Sequence, residues 1–91
     1  MMKKRVLWQL FTEGGRAYER NVIRLAEQYL PAGFTLTHTT GYWGGNVEKS
    51  LLLEALGTCA KDIRRLAQAV KIANRQEAVL ITWQPMDFQL L

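Results

Sequence analysis

Residues 34–56 have the sequence FTLTHTTGYWGGNVEKSLLLEAL, and the architecture of the whole chain can be built outward from them. In residues 34–42 apolar side chains alternate with a row of threonines, which is typical of an edge strand that tolerates solvent on one face. The doublet Gly44-Gly45 predicts a turn, and the leucine-rich residues 48–56 predict the next strand. This stretch therefore predicts two strands joined at a glycine turn.

The segment before this pair of strands predicts a strand followed by a helix. Residues 4–12 carry apolar side chains on both alternating faces, as a central strand does, and Gly14-Gly15 ends the run. Residues 16–30 then repeat apolar side chains at helical spacing before Pro31. The stripe that we expect to face the core consists of Tyr18, Val22, Leu25 and Tyr29.

The segment after the pair predicts a second helix and a fourth strand. Gly57 ends the third strand, and Thr58 is the expected N-cap of a helix over residues 59–74. Residues 77–84 predict the last strand, which we expect Pro85 to end. The apolar stripe of this helix, whose first member we expect to be a small buried hydrophobe, is Cys59, Ile63, Leu66, Val70 and Ala73.

These six elements follow the order βαββαβ within one domain, residues 1–91, which is large enough for a single core. The most economical packing is an α+β fold of the ferredoxin-like type. It has a four-stranded antiparallel sheet in the order 4-1-3-2 with both helices on one face. Strands one and two then run parallel, so the two glycine turns are expected at the same edge.

One face of this sheet is expected to be open and apolar. Glu54 is expected on the open face, because burying an unpaired carboxylate beneath the two helices would cost free energy. Alternation places five apolar residues on that face around Gln9, Thr82 and Gln84. There Glu54 and the two glutamines are expected either to form a hydrogen-bonded set that fixes the interface or to form the floor of a ligand cavity. The residues predicted to form an interface are Leu7, Phe11, Leu52, Glu54, Leu56 and Leu80.

So large an apolar patch is unusual on a soluble monomer. We therefore expect a homo-oligomer in which a second copy stacks on the open face. The C-terminal tail, residues 85–91, alternates apolar and polar side chains like a strand. It is expected either to pack back on its own chain or to be exchanged with a partner subunit.

The two glycine turns are the predicted ligand site. A glycine turn that leads into a helix can hold an anion, and Gly14, Gly15 and Arg16 have that form. Aromatic side chains at a rim stack on flat ligands, and Glu48 can accept hydrogen bonds. A plain tight turn, a packed hairpin tip or a protein anchor would use the same residues. The ligand-binding residues predicted here are Arg16, Gly14, Gly15, Tyr42, Trp43, Glu48 and Arg75.

Charge and composition narrow the function classes. The net charge of +4 resides in the second helix and its end, where Asp62 opposes five cations: Lys61, Arg64, Arg65, Lys71 and Arg75. Such a face can attract nucleic acid, nucleotides or an acidic partner, or it can be a plain solvated surface. Aromatic side chains are missing from the third strand, so nucleic acid is not an expected partner. No apolar run is long enough for a membrane span, and we expect a cytoplasmic protein.

Catalytic signatures are sparse in the sequence. The single His38 falls on the helix side of its strand, away from Glu54, which favours a structural role. One cysteine and the absence of paired His or Cys motifs predict no metal site and no cofactor. We therefore predict no catalytic residues.

A short pattern resembles a family of uncharacterised small bacterial and phage proteins. In these a G-x-W-x-G hairpin precedes E-x-S and a hydrophobic third strand, matching Gly41, Trp43, Gly45, Glu48 and Ser50 here. The later run QEAVL into QP, residues 76–85, is similar as well. The resemblance implies a ferredoxin-like fold and no particular activity.

Three hypotheses about function follow from the residues. The first is a non-enzymatic oligomer that binds a small anionic or nucleotide-like ligand at the two turns; a phage counter-defence protein that sequesters a host signal would be one case. The second is a protein-interaction or inhibitor module that uses the basic second helix against a host protein. The third is a small cofactor-free enzyme of the dimeric α+β barrel type, centred on Glu54.

Overall fold

The computed structural model describes residues 3–91 and contains four strands and two helices. Strand order is β2-β3-β1-β4 with every neighbouring pair antiparallel, which confirms the predicted ferredoxin-like fold, since this is the order 4-1-3-2 read from the other edge. The elements are β1 (Lys3–Glu13), α1 (Arg16–Tyr29), β2 (Thr35–Trp43), β3 (Asn46–Leu56), α2 (Ala60–Ala73) and β4 (Leu80–Phe88).

The core lies between the two helices and one face of the two central strands. On β3 the alternating residues Leu51, Leu53 and Ala55 are buried, whereas Glu54 is only half-buried on the other face. This confirms the face that Glu54 indicated. The remaining members of the buried cluster come from β1 and the helices, namely Trp8, Leu10, Val22, Leu25, Ala26, Leu30, Ile63, Leu66 and Val70.

The start of α2 differs from the prediction. The helix begins at Ala60 with Cys59 as its N-cap, and no side chain caps it. Thr58 was therefore wrongly predicted as the cap; its carbonyl instead accepts a hydrogen bond from Trp8 Nε1 at 2.9 Å. Cys59 is exposed rather than buried, because a capping residue lies before the first turn that faces the core. Ala73, at the other end of the predicted stripe, is exposed too.

The last strand also differs from the prediction. It begins at Leu80 and passes through Pro85, which pairs with Val6, so Pro85 does not end it. An edge strand tolerates proline because the missing N–H can lie on the solvent side. Trp83 packs against Trp8, with ring centroids 5.3 Å apart and the rings tilted by 38°. It is 56% exposed, so the prediction that Trp83 belongs to the core was wrong. Exchange of tail residues 85–91 with a partner stays a prediction.

The open face of the sheet is organised in rows across the strands. An apolar row of Leu52, Phe11 and Leu80 lies on one side, and Leu56 lies opposite Leu7 on the other. Between them is a polar row, defined as Glu54, Gln9 and Thr82.

Hydrogen bonds join the three members of the polar row. Thr82 Oγ1 donates to Gln9 Oε1 at 3.0 Å, and Gln9 Nε2 donates to Glu54 Oε2 at 3.2 Å. The predicted participation of Gln84 was wrong, because its register position is opposite Leu7, in the next row. A side-chain amide can accept and donate at once, so Gln9 is suited to the middle of the row.

No helix within residues 3–91 has the length and apolar character needed to cross a membrane.

Candidate functional site

The β2–β3 hairpin extends beyond the rest of the sheet. Strand β1 ends where Glu13 pairs with Ser50, but β2 and β3 continue for four more residue pairs, to Trp43 opposite Asn46. At about 3.3 Å per residue this overhang is roughly 13 Å long. Gly44 and Gly45 close it with φ values of 55° and 83°, the left-handed pair that a tight hairpin turn requires.

Trp43 lies against the backbone of Gly41, on the same face of β2. A Cβ atom on Gly41 would overlap the indole Nε1 of Trp43 and would lie 2.6 Å from Ser50 Oγ. Glycine is therefore required here for close approach rather than for an unusual φ. The indole therefore lies on the strand face that also carries Glu48, the register partner of Gly41, although Trp43 itself remains 51% exposed.

A cavity of about 730 Å³ opens at the root of this overhang, and we call it the hairpin cavity. Two of its lining residues, Glu13 and Glu48, are acidic, and none is a lysine or an arginine. Gln76 closes one side through a hydrogen bond from Thr12 Oγ1. The cavity is lined by Phe11, Thr12, Glu13, Thr39, Thr40, Gly41, Tyr42, Trp43, Glu48, Ser50, Gln76, Ala78 and Leu80.

A second, smaller cavity of about 330 Å³ lies beside α1, and it contains the turn after β1. The amide of Gly14 donates to the carbonyl of Lys49 at 2.9 Å, so the end of β1 is fastened to β3. Gly15 is the N-cap of α1 with φ 111°. The lining residues are Gly14, Gly15, Arg16, Glu19, His38, Thr39, Lys49, Ser50 and Leu51.

The structure therefore divides the predicted ligand residues between two neighbouring cavities. Tyr42, Trp43 and Glu48 line the hairpin cavity, whereas Gly14, Gly15 and Arg16 line the smaller one. The two cavities share Thr39 and Ser50. Arg75 lines neither of them; it is exposed after α2, with a left-handed φ of 53°.

Several lining residues were not in the predicted site. Gln76 and Ala78 come from the connection between α2 and β4, and Ser50 comes from inside β3. The predicted strand order contained a signal for the first two, because it brings that connection to the same edge as the glycine turns. Ser50 reaches the cavity because β1 ends at its level, and the exact end of a strand is not readable from its sequence.

Within residues 3–91 the single histidine is paired with a carboxylate. His38 Nε2 lies 2.8 Å from Glu19 Oε1 on the helix side of the sheet, as the alternation predicted, and away from Glu54. Across residues 3–91, His, Cys, Asp and Glu form no group of three or more that could hold a metal ion.

No protein-family model matches the chain, and no curated protein matches its sequence. Solved structures do match it. CPII, a nitrogen regulatory PII-like protein from Thiomonas intermedia K12 bound to ADP, AMP and bicarbonate, superposes with a TM-score of 0.70 at 10% identity, covering 100% of this chain and 99% of the other.

Two further solved structures have similar folds. A DUF3240-family protein from Shewanella baltica OS155 gives a TM-score of 0.66 at 14% identity and covers 90% of this chain and 89% of its own. A phage SAM lyase in the apo state gives a TM-score of 0.60 at 12% identity and covers 96% of this chain and 90% of its own. At these identities the likeness establishes the ferredoxin-like fold alone. The structural neighbours include PII-like proteins and an uncharacterised family.

Proposed function

We propose that the protein is a non-enzymatic binding protein for a nucleotide-like ligand, with the nucleoside part held in the hairpin cavity. The observation that carries this proposal is that the Trp43 indole, packed against Gly41, and the Glu48 carboxylate line the same cavity of about 730 Å³. An indole face stacks on a base, and a carboxylate accepts hydrogen bonds from ribose hydroxyls. The volume lies in the range of small-molecule sites.

The anionic part of such a ligand needs a cation that the hairpin cavity does not contain. Arg16 borders the neighbouring cavity and Arg75 is exposed beyond α2. In our proposal phosphate groups extend out of the hairpin cavity toward one of these arginines. The solved complex of CPII with ADP and AMP supports a nucleotide as the ligand class for this fold.

We also propose that the protein acts as a homo-oligomer through the open face. Leu56 and Leu80 on that face are 42% and 49% exposed, and Phe11 and Leu80 line the hairpin cavity as well. A second copy on this face would therefore border the ligand. Sedimentation of Leu56→Glu tests the assembly, because a charge placed within an apolar contact should dissociate it. Monomeric wild-type protein at micromolar concentration would contradict the proposal.

Sequestration of a host nucleotide signal by a phage-encoded copy is the biological role that we propose for such a binder. It is supported by the resemblance of the hairpin pattern to a family of small bacterial and phage proteins. Recovery of unchanged ligand, identified by mass spectrometry after incubation, distinguishes sequestration from turnover.

Thermal unfolding with adenosine, AMP and ADP tests ligand binding. A ligand at 100 times its Kd stabilises a protein by about 2.7 kcal/mol. For a chain of this size that corresponds to a rise in Tm of roughly 10 °C or more. Trp43→Ala should abolish the rise, whereas Trp83→Ala, which removes another exposed indole, should keep it. Arg16→Ala should reduce only the advantage of ADP over adenosine.

A second candidate is favoured by the acidic lining of the cavity. Two carboxylates and an indole suit a ligand with a cationic centre, since cations are attracted by carboxylates and by aromatic faces. The phage SAM lyase shares the fold, and SAM carries a sulfonium cation. Incubation with SAM and detection of cleaved products tests this candidate, and Glu48→Gln should lower any turnover. If SAM binds and no product forms, SAM cleavage is excluded and a non-enzymatic binding function is kept.

A further inference from the structure

A shallow basic depression lies along α2 and shares no lining residue with the hairpin cavity. Its volume is about 930 Å³, and we call it the α2 groove. It is lined by Tyr29, Ala60, Lys61, Arg64, Arg65, Gln68, Ala69 and Ile72. No acidic residue is among them.

The cations of the α2 groove do not stabilise the fold through ion pairs found in residues 3–91. Lys61, Arg64 and Arg65 are exposed, and the ion pairs found within residues 3–91 join other residues, Lys4 with Asp87 and His38 with Glu19. The three cations also lie in the first two turns of α2, where the positive end of the helix dipole disfavours positive charge. Their common effect is a concentrated positive potential on one surface.

The same groove has an apolar part further along the helix. Ile72 is 74% exposed. Counted from Lys61, the residues Arg65, Gln68 and Ile72 follow at helical offsets of 4, 7 and 11, so the four lie on one stripe. Ala69 beside it leaves room for close approach of another backbone. The stripe therefore changes from basic near the start of α2 to apolar near its end.

We propose that the α2 groove binds an acidic amphipathic helix of another protein. Its carboxylates would lie against Arg64 and Arg65, and its apolar side chains would cover Ile72 and the alanines, in the manner of a helix laid in a groove. Charge complementarity selects the acidic partner. Nucleic acid is the poorer fit, because an exposed isoleucine contributes nothing to a phosphate backbone and the cations span only about 6 Å of helix.

Fluorescence anisotropy with synthetic peptides tests the proposal on the whole 91-residue chain. The probe is an 18-residue labelled peptide with a leucine stripe at helical spacing and glutamate on its flanks, and the control peptide has lysine in place of glutamate. The acidic peptide should bind at least tenfold more tightly than the control, and binding should weaken as salt rises. A duplex oligonucleotide forms the third arm.

Variants of the groove separate its two parts. Arg65→Glu and Ile72→Ser should each weaken acidic-peptide binding by tenfold or more, whereas Arg24→Glu, a charge reversal outside the groove, should leave it within twofold. Circular dichroism checks that each variant is folded. Equal binding of the two peptides, insensitivity to Ile72→Ser, or tighter binding of the duplex would overturn the proposal. Nucleotide stabilisation should survive in Arg65→Glu, so this result is independent of the hairpin cavity.

Discussion

Replacing Gly41 by alanine should displace the Trp43 indole from the hairpin cavity. The added Cβ would overlap Trp43 Nε1, and a carbon–nitrogen contact needs about 3.4 Å, so the ring must move by roughly 1 Å or leave its rotamer. Forcing one extra carbon into an occupied space costs about 1–3 kcal/mol. At about 4–8 °C per kcal/mol for a domain of this size, the fall in Tm is measurable.

A double-mutant cycle isolates this contact. In the Trp43→Ala background the overlap with the indole is gone, and the remaining neighbour, Ser50 Oγ at 2.6 Å, can rotate away about a single bond. Gly41→Ala should therefore cost less than about 1 kcal/mol there, because alanine also restricts the unfolded chain. The coupling energy expected between the two positions is about 1–2 kcal/mol.

Urea unfolding followed by circular dichroism measures the four free energies, and ligand titration measures the functional effect. Gly41→Ala should weaken nucleotide binding along with stability, since the displaced indole no longer stacks on the base. If Gly41→Ala costs the same free energy with and without the indole, Trp43 does not lie on Gly41 and our account of the cavity fails.

Three further variants test the rest of the structure by urea unfolding. Leu53→Ala, at a fully buried position of β3, should lower the free energy of unfolding by about 2–5 kcal/mol. Gln9→Leu should cost about 1–2 kcal/mol by breaking both hydrogen bonds of the polar row, whereas the same exchange at the exposed Gln84 should be nearly neutral. Trp8→Phe removes the donor to the Thr58 carbonyl and should cost about 1–3 kcal/mol; a cost below 0.5 kcal/mol would show that this bond contributes little.

The arrangement of the core was readable from the sequence because one residue fixed the alternation. Once Glu54 was placed on the open face, the burial of Leu51, Leu53 and Ala55 followed, and the structure agrees. The failures are local. Pro85 was read as a strand end from its chemistry alone, although the predicted strand order already made β4 an edge, where proline is tolerated.

The candidate site was only partly predictable for a geometric reason. Parallel β1 and β2 bring both glycine turns to one end of the sheet, and that follows from topology. How far the hairpin extends past Glu13 depends on register, which alternation does not specify. This overhang separates Trp43 from Arg16, and it left Ser50 outside the predicted set.

Pro85 has a bearing on how copies of this chain can aggregate. Open strand edges are templates for fibril growth, because each new strand needs an unbroken series of amide donors and carbonyl acceptors. Proline interrupts that series near the middle of β4, opposite Val6. Strand-by-strand polymerisation along this border should therefore stall, which leaves β2 as the sheet border with an uninterrupted series of donors and acceptors.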